Sequence, residues 1–155
     1  MRLRVIAVGT RMPAWVRSAC DDYLARLTGA LAASLTEIEP ARRGTGAAAQ
    51  ATRAEGERLL AALRTEEHVI ALEERGREFS TRELASWLSG RMQQAQDLAF
   101  VLGGADGLAA PVLARSNLRL SLSRLTLPHA LARVVLCEQL YRAHAILGNH
   151  PYHRD

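Results

Sequence analysis

The sequence predicts an α/β protein of one domain, with a mostly parallel sheet and helices on both faces. Three observations carry this. Strand-like and helix-like patterns alternate along the whole chain. Residues 98–102, LAFVL, are apolar without interruption, which is how a central strand covered on both faces reads. Finally, 155 residues with 48% hydrophobic and 23% charged content are enough for one sizeable core and exclude a disordered chain.

Residues 3–8, LRVIAV, form a first strand that Gly9 ends. Pro13 opens a helix to about Leu27, with Trp15, Val16, Ala19, Tyr23, Leu24 and Leu27 at core spacing. Residues 34–39 alternate Leu35 and Ile38 with polar side chains and make a second strand, closed by Pro40. Residues 41–46, ARRGTG, are a basic loop, and Ala47 begins a helix to Leu63 with Leu59, Leu60 and Leu63 inward. Residues 69–72 are a buried third strand, and residues 73–78, EERGRE, a charged turn around Gly76. Ser80, answered three residues later by Glu83, is a capping box for a helix carrying Leu84, Trp87, Leu88 and Met92. The central strand follows, then GGADG at 103–107 and a short helix from Pro111.

The chain is organised around residues 120–143, LSLSRLTLPHALARVVLCEQLYRA. Leu120, Leu122 and Leu125 alternate with polar neighbours, as a short strand or an extended loop. Pro128 disfavours helix at Leu127 and fits a first helical turn, so a long helix runs from His129 to about Leu147. Leu131, Val134, Val135, Leu140 and Tyr141 give it a broad apolar face, and further apolar residues surround most of its circumference. That excess predicts a homodimer through this helix, unless one chain buries it beneath its own tail.

All 20 basic residues counted with Lys are Arg, and the net charge is +4. Residues 99–155 hold six Arg against three acids, with four of the five His. A basic C-terminal surface suits a polyanion such as RNA, although a solvated face gives the same counts. Arg42 and Arg43 are candidates for phosphate in a loop that also reads as merely solvated. Cys20 and Cys137 sit in apolar helical contexts without metal spacing, as small core residues in a reducing cytosol. Arg2 and Arg4 precede an apolar run too short for a secretory signal, and no span reaches membrane length.

Ligands of such sheets bind beyond the carboxyl ends of the strands. Here those ends are Leu72, Gly103 and residues 122–127. Gly103 and Gly104 allow close approach to the backbone, by a ligand or within a plain tight turn. The glycines fall as GGxxG, which is not the dinucleotide fingerprint. The tail, NHPYHRD, packs two His, a Tyr and an Arg into residues 150–154, a dense set of proton-transfer and anion-binding groups.

VLGGADGL, LSLSRLTLPHALARVVLCEQLYRA and NHPYHR together resemble the ribosomal RNA large subunit methyltransferase H family, within the SPOUT superfamily. The resemblance runs from RLRVIAVGTRMPAWV through EGERLL and GREFSTRELASWL to the tail. It implies an α/β fold with a C-terminal trefoil knot, S-adenosylmethionine as methyl donor without a metal, a homodimer and a cytoplasmic location. The implied reaction is N3 methylation of a pseudouridine in a 23S rRNA stem-loop of assembled ribosomes. Residue by residue, it implies a donor site of Leu72, Gly103, Leu122, Ser123, Arg124, Leu125, Thr126 and Leu127. It implies catalysis by His129, His153 and Arg154, and RNA contacts from Arg133, Tyr152 and Arg154. Departures are mild: Arg replaces Lys at several surface positions, and His144 stands where an aromatic residue is common.

The chemistry agrees with these residue types. The acceptor N3 carries a proton and is a poor nucleophile until it leaves. His129 or His153 is the candidate acceptor of that proton, or positioning alone suffices with water as the base. Arg154 or Arg133 is the candidate partner for the developing oxyanion. A different class of function, a ribosome-binding module of the same fold without catalysis, is the alternative.

Overall fold

The computed structural model describes residues 1–44 and 48–154. Thr45 and Gly46, which end the expected basic loop, Ala47, which begins the expected helix, and Asp155 of the tail lie outside the described residues. Five strands form a single parallel sheet: β1 (Arg2–Val8), β2 (Ala32–Ile38), β3 (His68–Glu78), β4 (Leu98–Leu102) and β5 (Leu118–Ser121), in the order β2-β1-β4-β3-β5. The helices are α1 (Ala14–Ala25), α2 (Ala48–Ala62), α3 (Thr81–Gln93), α4 (Ala110–Arg115) and α5 (His129–Leu147), followed by a 3-10 turn, Pro151–His153.

Alternation along the strands sorts the helices onto two faces. Leu3, Val5 and Ala7 of β1, with Leu98, Phe100 and Leu102 of β4, pack against α1, α3 and α5. Ile6 and Val8, with Ala99 and Val101, pack against α2 and α4. Every residue of β4 is buried, as its uninterrupted apolar run requires. β2 is an edge strand with no fully buried residue, which explains its polar alternation.

Ser80 caps α3 as expected. Its Oγ accepts from the Glu83 N–H at 3.1 Å, and its own N–H donates to Glu83 Oε2 at 2.7 Å.

Two readings of the sequence need correction. Trp15 is 56% exposed rather than in the core. The buried stripe of α1 is Val16, Cys20 and Leu24, and one residue away along a helix is 100° around it. The charged stretch 73–78 is no simple turn, because β3 runs through it to Glu78. Leu120 of β5 stands opposite both Leu72 and Arg77, with an irregularity between them. At Gly76 a Cβ would lie 2.7–2.8 Å from the backbone of Arg119 and Leu120, so only glycine lets the two strands meet there.

α5 is wrapped by its own chain more fully than its circumference suggested. Leu136, Cys137, Leu140, Tyr141, Ala143 and Ala145 are all buried, against α1 on one side and α3 on the other. Leu131 and Leu147 are its large apolar residues left exposed.

Candidate active site

The strand order decides what meets at the carboxyl edge of the sheet. β3 lies between β4 and β5, so the ends at Leu72, Leu102 and Ser121 sit side by side. Beyond them opens a cavity of about 840 Å³. It is lined by Leu72, Gly103, Leu122, Ser123, Leu125, Thr126 and Leu127 from the expected donor segments, and by His129 at the start of α5. Arg124 is the residue of those segments that does not line it. Sequence reasoning also missed Leu108 and Leu113 around α4, and the charged rim of Glu73, Glu74, Arg75 and Asp106. The rim was hidden because 73–78 read as a solvated turn. Leu108 and Leu113 carried a signal, since they flank Pro111 directly after the glycine loop.

The glycine loop is tight for a reason internal to the chain. A Cβ on Gly103 would come within 2.4 Å of the Gly107 carbonyl. The Gly107 N–H donates to the Gly104 carbonyl at 3.2 Å, closing the turn. At Gly104 a Cβ would meet Val8 at 3.1 Å and the Glu55 carboxylate at 3.6 and 3.7 Å. The groups approaching these two glycines are therefore the loop itself, β1 and α2.

The loop after β5 is ordered by its serines. Ser121 Oγ donates to the Ser123 carbonyl at 3.0 Å, and Ser123 Oγ accepts from the Leu125 N–H at 2.9 Å. Pro128 then starts α5 with no side-chain cap. No side chain caps the first turn of α5, which begins beside the wall formed by Pro128, His129 and Ala132. His129 Nδ1 is enclosed and has no hydrogen-bond partner.

Arg133, one turn beyond His129, is 1% exposed. Its Nη1 donates to Glu37 Oε2 at 2.7 Å, and its Nη2 to the carbonyls of Val8 and Gly9 at 3.1 and 3.0 Å. The contact with RNA expected of Arg133 finds no exposed guanidinium, because the side chain is spent fixing the end of β1 beside β2. Gly9 has a φ of +124°, and a Cβ there would sit 2.7 Å from Met12 Cε, so this turn needs glycine.

Arg43 is also engaged. It holds Glu55 bidentately at 3.0 Å and 3.0 Å and Asp106 at 2.7 Å, tying the basic loop to the glycine loop. Arg42 is exposed.

The tail folds back onto α5 rather than toward the cavity. The Tyr152 ring lies 4.5 Å from that of Tyr141, and the Arg142 guanidinium stands 4.9 Å from its centroid. Its hydroxyl donates to Glu138 Oε1 at 3.1 Å. Burial, followed by hydrogen bonding with Tyr23 and the charge of Glu138, pushes the phenol well above its usual pKa. Glu138 stands about nine residues along α5 from His129, ~14 Å of helical rise. Tyr152, His153 and Arg154 do not line the cavity. Within one chain, then, His129 belongs to the cavity and His153 does not. Arg154 is exposed, and His153 is half-buried with an unpartnered, enclosed Nδ1.

Among the described residues no helix is long and apolar enough to cross a membrane, and no three or more His, Cys, Asp or Glu side chains group to hold a metal.

A family model described as a predicted SPOUT methyltransferase matches residues 1–153. The ribosomal RNA large subunit methyltransferase H of Thiobacillus denitrificans is 51% identical, covering 100% of both chains. That of Laribacter hongkongensis is 47% identical with the same coverage. Among solved structures, a probable methyltransferase from Bordetella pertussis Tohama I has a TM-score of 0.57 at 20% identity, over 91% of this chain and 95% of that one. A probable methylase family protein from Haemophilus influenzae has a TM-score of 0.56 at 17% identity, over 99% of this chain and 70% of that one. These two bear on the fold alone.

Proposed function

Because the chain belongs to the SPOUT methyltransferases, within the ribosomal RNA large subunit methyltransferase H family, we propose that it methylates N3 of a pseudouridine in a 23S rRNA stem-loop of assembled ribosomes, in the cytoplasm. The observation that carries this reading is the cavity at the joined ends of β3, β4 and β5, whose lining includes seven of the eight residues expected to hold the donor. The trefoil knot expected near the C-terminus belongs to the same reading.

The lining fits S-adenosylmethionine. The cavity volume is in the range of small-molecule sites. Leu72, Leu102, Leu122 and Leu127 offer apolar walls for a flat ring, and the uncapped start of α5 suits an anionic group. Glu73 and Glu74 set negative charge at the rim near a cationic ligand, beside Arg75 and the Asp106 that Arg43 holds. When bound, this donor supplies an electrophilic methyl on a sulfonium, with no metal required.

The protein's residues must orient the acceptor and manage its proton. The N3–H bond breaks as the N3–methyl bond forms. The proton passes to His129, to His153 or to water, and the electron pair of the broken methyl–sulfur bond stays on sulfur. Arg154 stabilises the negative charge that develops on the base and its carbonyl oxygens. Tyr152 and Arg154 contact RNA, whereas Arg133 positions the floor of the site from within.

Since the tail of one chain leaves the cavity of that chain untouched, the two sets of residues come together by dimerisation. A homodimer seats the tail of one subunit at the cavity of the other, across the exposed Leu125 and Leu131. Light scattering that finds a monomer at micromolar concentration removes this part of the reading.

The decisive experiment is transfer of labelled methyl from S-adenosylmethionine to ribosomes from a strain lacking its own enzyme. One methyl per ribosome at a pseudouridine N3 is expected. Binding to ribosomes with no transfer would instead mark a binding module of the same fold.

A further inference from the structure

A second hollow adjoins the donor cavity. It measures about 590 Å³ and lies between the turn after β1, residues 9–12, and the loop at residues 39–43. Gly104, Ala105 and His129 line both spaces and form their common wall. We propose that this hollow receives the acceptor nucleotide, with Arg11 and Arg42 holding its flanking phosphates. The proposal rests on the methyltransferase reading and says where on the chain the RNA substrate enters.

Geometry supports it first. A methyl transfer needs its reacting atoms about 3–3.5 Å apart, so the acceptor must lie directly beside the donor cavity. The second hollow shares a wall with it, and its size falls among small-molecule sites. The shared wall is thin by construction, since two of its three residues are Gly104 and Ala105. At Gly104 a Cβ would press on Val8 at 3.1 Å and touch the Glu55 carboxylate at ordinary contact distance.

Charge supports it next. Arg11 and Arg42 are exposed at the rim, and neither is paired with a carboxylate among the described residues. The acids in this hollow are already engaged. Glu55, 1% exposed, is met by both Nη atoms of Arg43 and by the Ala41 N–H at 3.1 Å. Glu39 accepts from the Thr10 hydroxyl at 3.0 Å. Two exposed guanidiniums, with the buried Glu55 already paired to Arg43, suit a phosphodiester strand.

The wall residue supports it last. His129 has Nδ1 enclosed and without a partner. The residue lines both spaces and so stands at the boundary between donor and acceptor.

The test uses the full chain and ribosomes that lack the modification. Arg11→Ala with Arg42→Ala should leave S-adenosylmethionine affinity within about twofold. The same double variant should raise KM for ribosomes about tenfold or more, and reduce the slope of log kcat/KM against log salt by about two, one per phosphate lost. The Lys versions of both positions should recover most of that slope. Thr10→Phe, which fills the hollow, should bind donor normally and lose methyl transfer. Unchanged KM and salt slope in the double Ala variant, with full transfer by Thr10→Phe, overturns the assignment. Loss of donor affinity in Thr10→Phe overturns the separation of the two spaces. A wild-type chain that transfers no methyl to ribosomes defeats the enzyme reading itself, and this inference with it.

Discussion

Arg133 of α5 and Glu37 of β2, 96 residues apart in the chain, meet at 2.7 Å over the end of β1. The same guanidinium also takes the carbonyls of Val8 and Gly9. One buried cation thus joins the helix that begins at the cavity to two strands of the sheet.

Removing that cation leaves two carbonyls and a carboxylate without their donor. Arg133→Met should therefore destabilise the fold by about 3 kcal/mol or more, since breaking a buried pair costs more than the pair is worth. Chemical denaturation measures it. A loss under about 1 kcal/mol means that the ion pair is not the clamp described here.

Gly103→Ala places a Cβ 2.4 Å from the Gly107 carbonyl carbon and oxygen. The loop must shift, and the cavity wall moves with it. Helical content should hold, while S-adenosylmethionine affinity falls by about tenfold or more, roughly 1.4 kcal/mol. Calorimetry on a variant with normal circular dichroism decides; wild-type affinity refutes it.

Truncating the chain before Tyr152 removes the ring on Tyr141 and the bond to Glu138, both on the flank of α5. Donor affinity should stay nearly unchanged, because the donor segments that line the cavity all lie before Pro128 in their own chain. Methyl transfer to ribosomes should fall by orders of magnitude. Arg154→Ala should lose more activity than donor affinity, and Arg154→Lys should recover only part, since a point charge replaces a planar fork. Donor binding that vanishes on truncation, or transfer that survives it, contradicts the tail's role.

Stability should fall on mild acidification. Burial lowers the pKa of His68, helped by the charges of Arg91 and Arg115, and burial alone lowers that of His144. Each imidazole then binds its proton more tightly when the chain is unfolded. Their contribution is fully present above the unfolded value of ~6.5 and is lost as pH falls through the lower folded values. The denaturation midpoint should drop between pH 7 and pH 5, and His68→Gln with His144→Gln should flatten that drop. An equally steep decline in the double variant excludes these two groups as its cause.

The order of elements was legible because it depends on local pattern. LAFVL could only be a strand covered on both faces, Ser80 with Glu83 could only be a helix start, and Pro128 separated an extended segment from a helix. Most segments that line the cavity were legible too, since parallel strands open sites at their carboxyl ends and the glycines marked one of those ends. What the sequence left open depended on partners distant in the chain. EERGRE looked like a solvated turn until β5 came to lie against Gly76. Arg133 looked like an RNA contact until the sheet brought Glu37, Val8 and Gly9 around it. Tyr152 and His129 looked like members of one site, and the stacking on Tyr141 separates them within one chain. Periodicity and turn chemistry act over a few residues, so the sequence by itself determined the elements and their kind. Charge pairing, close backbone approach and the docking of a tail join residues tens of positions apart, and these only the tertiary structure decided.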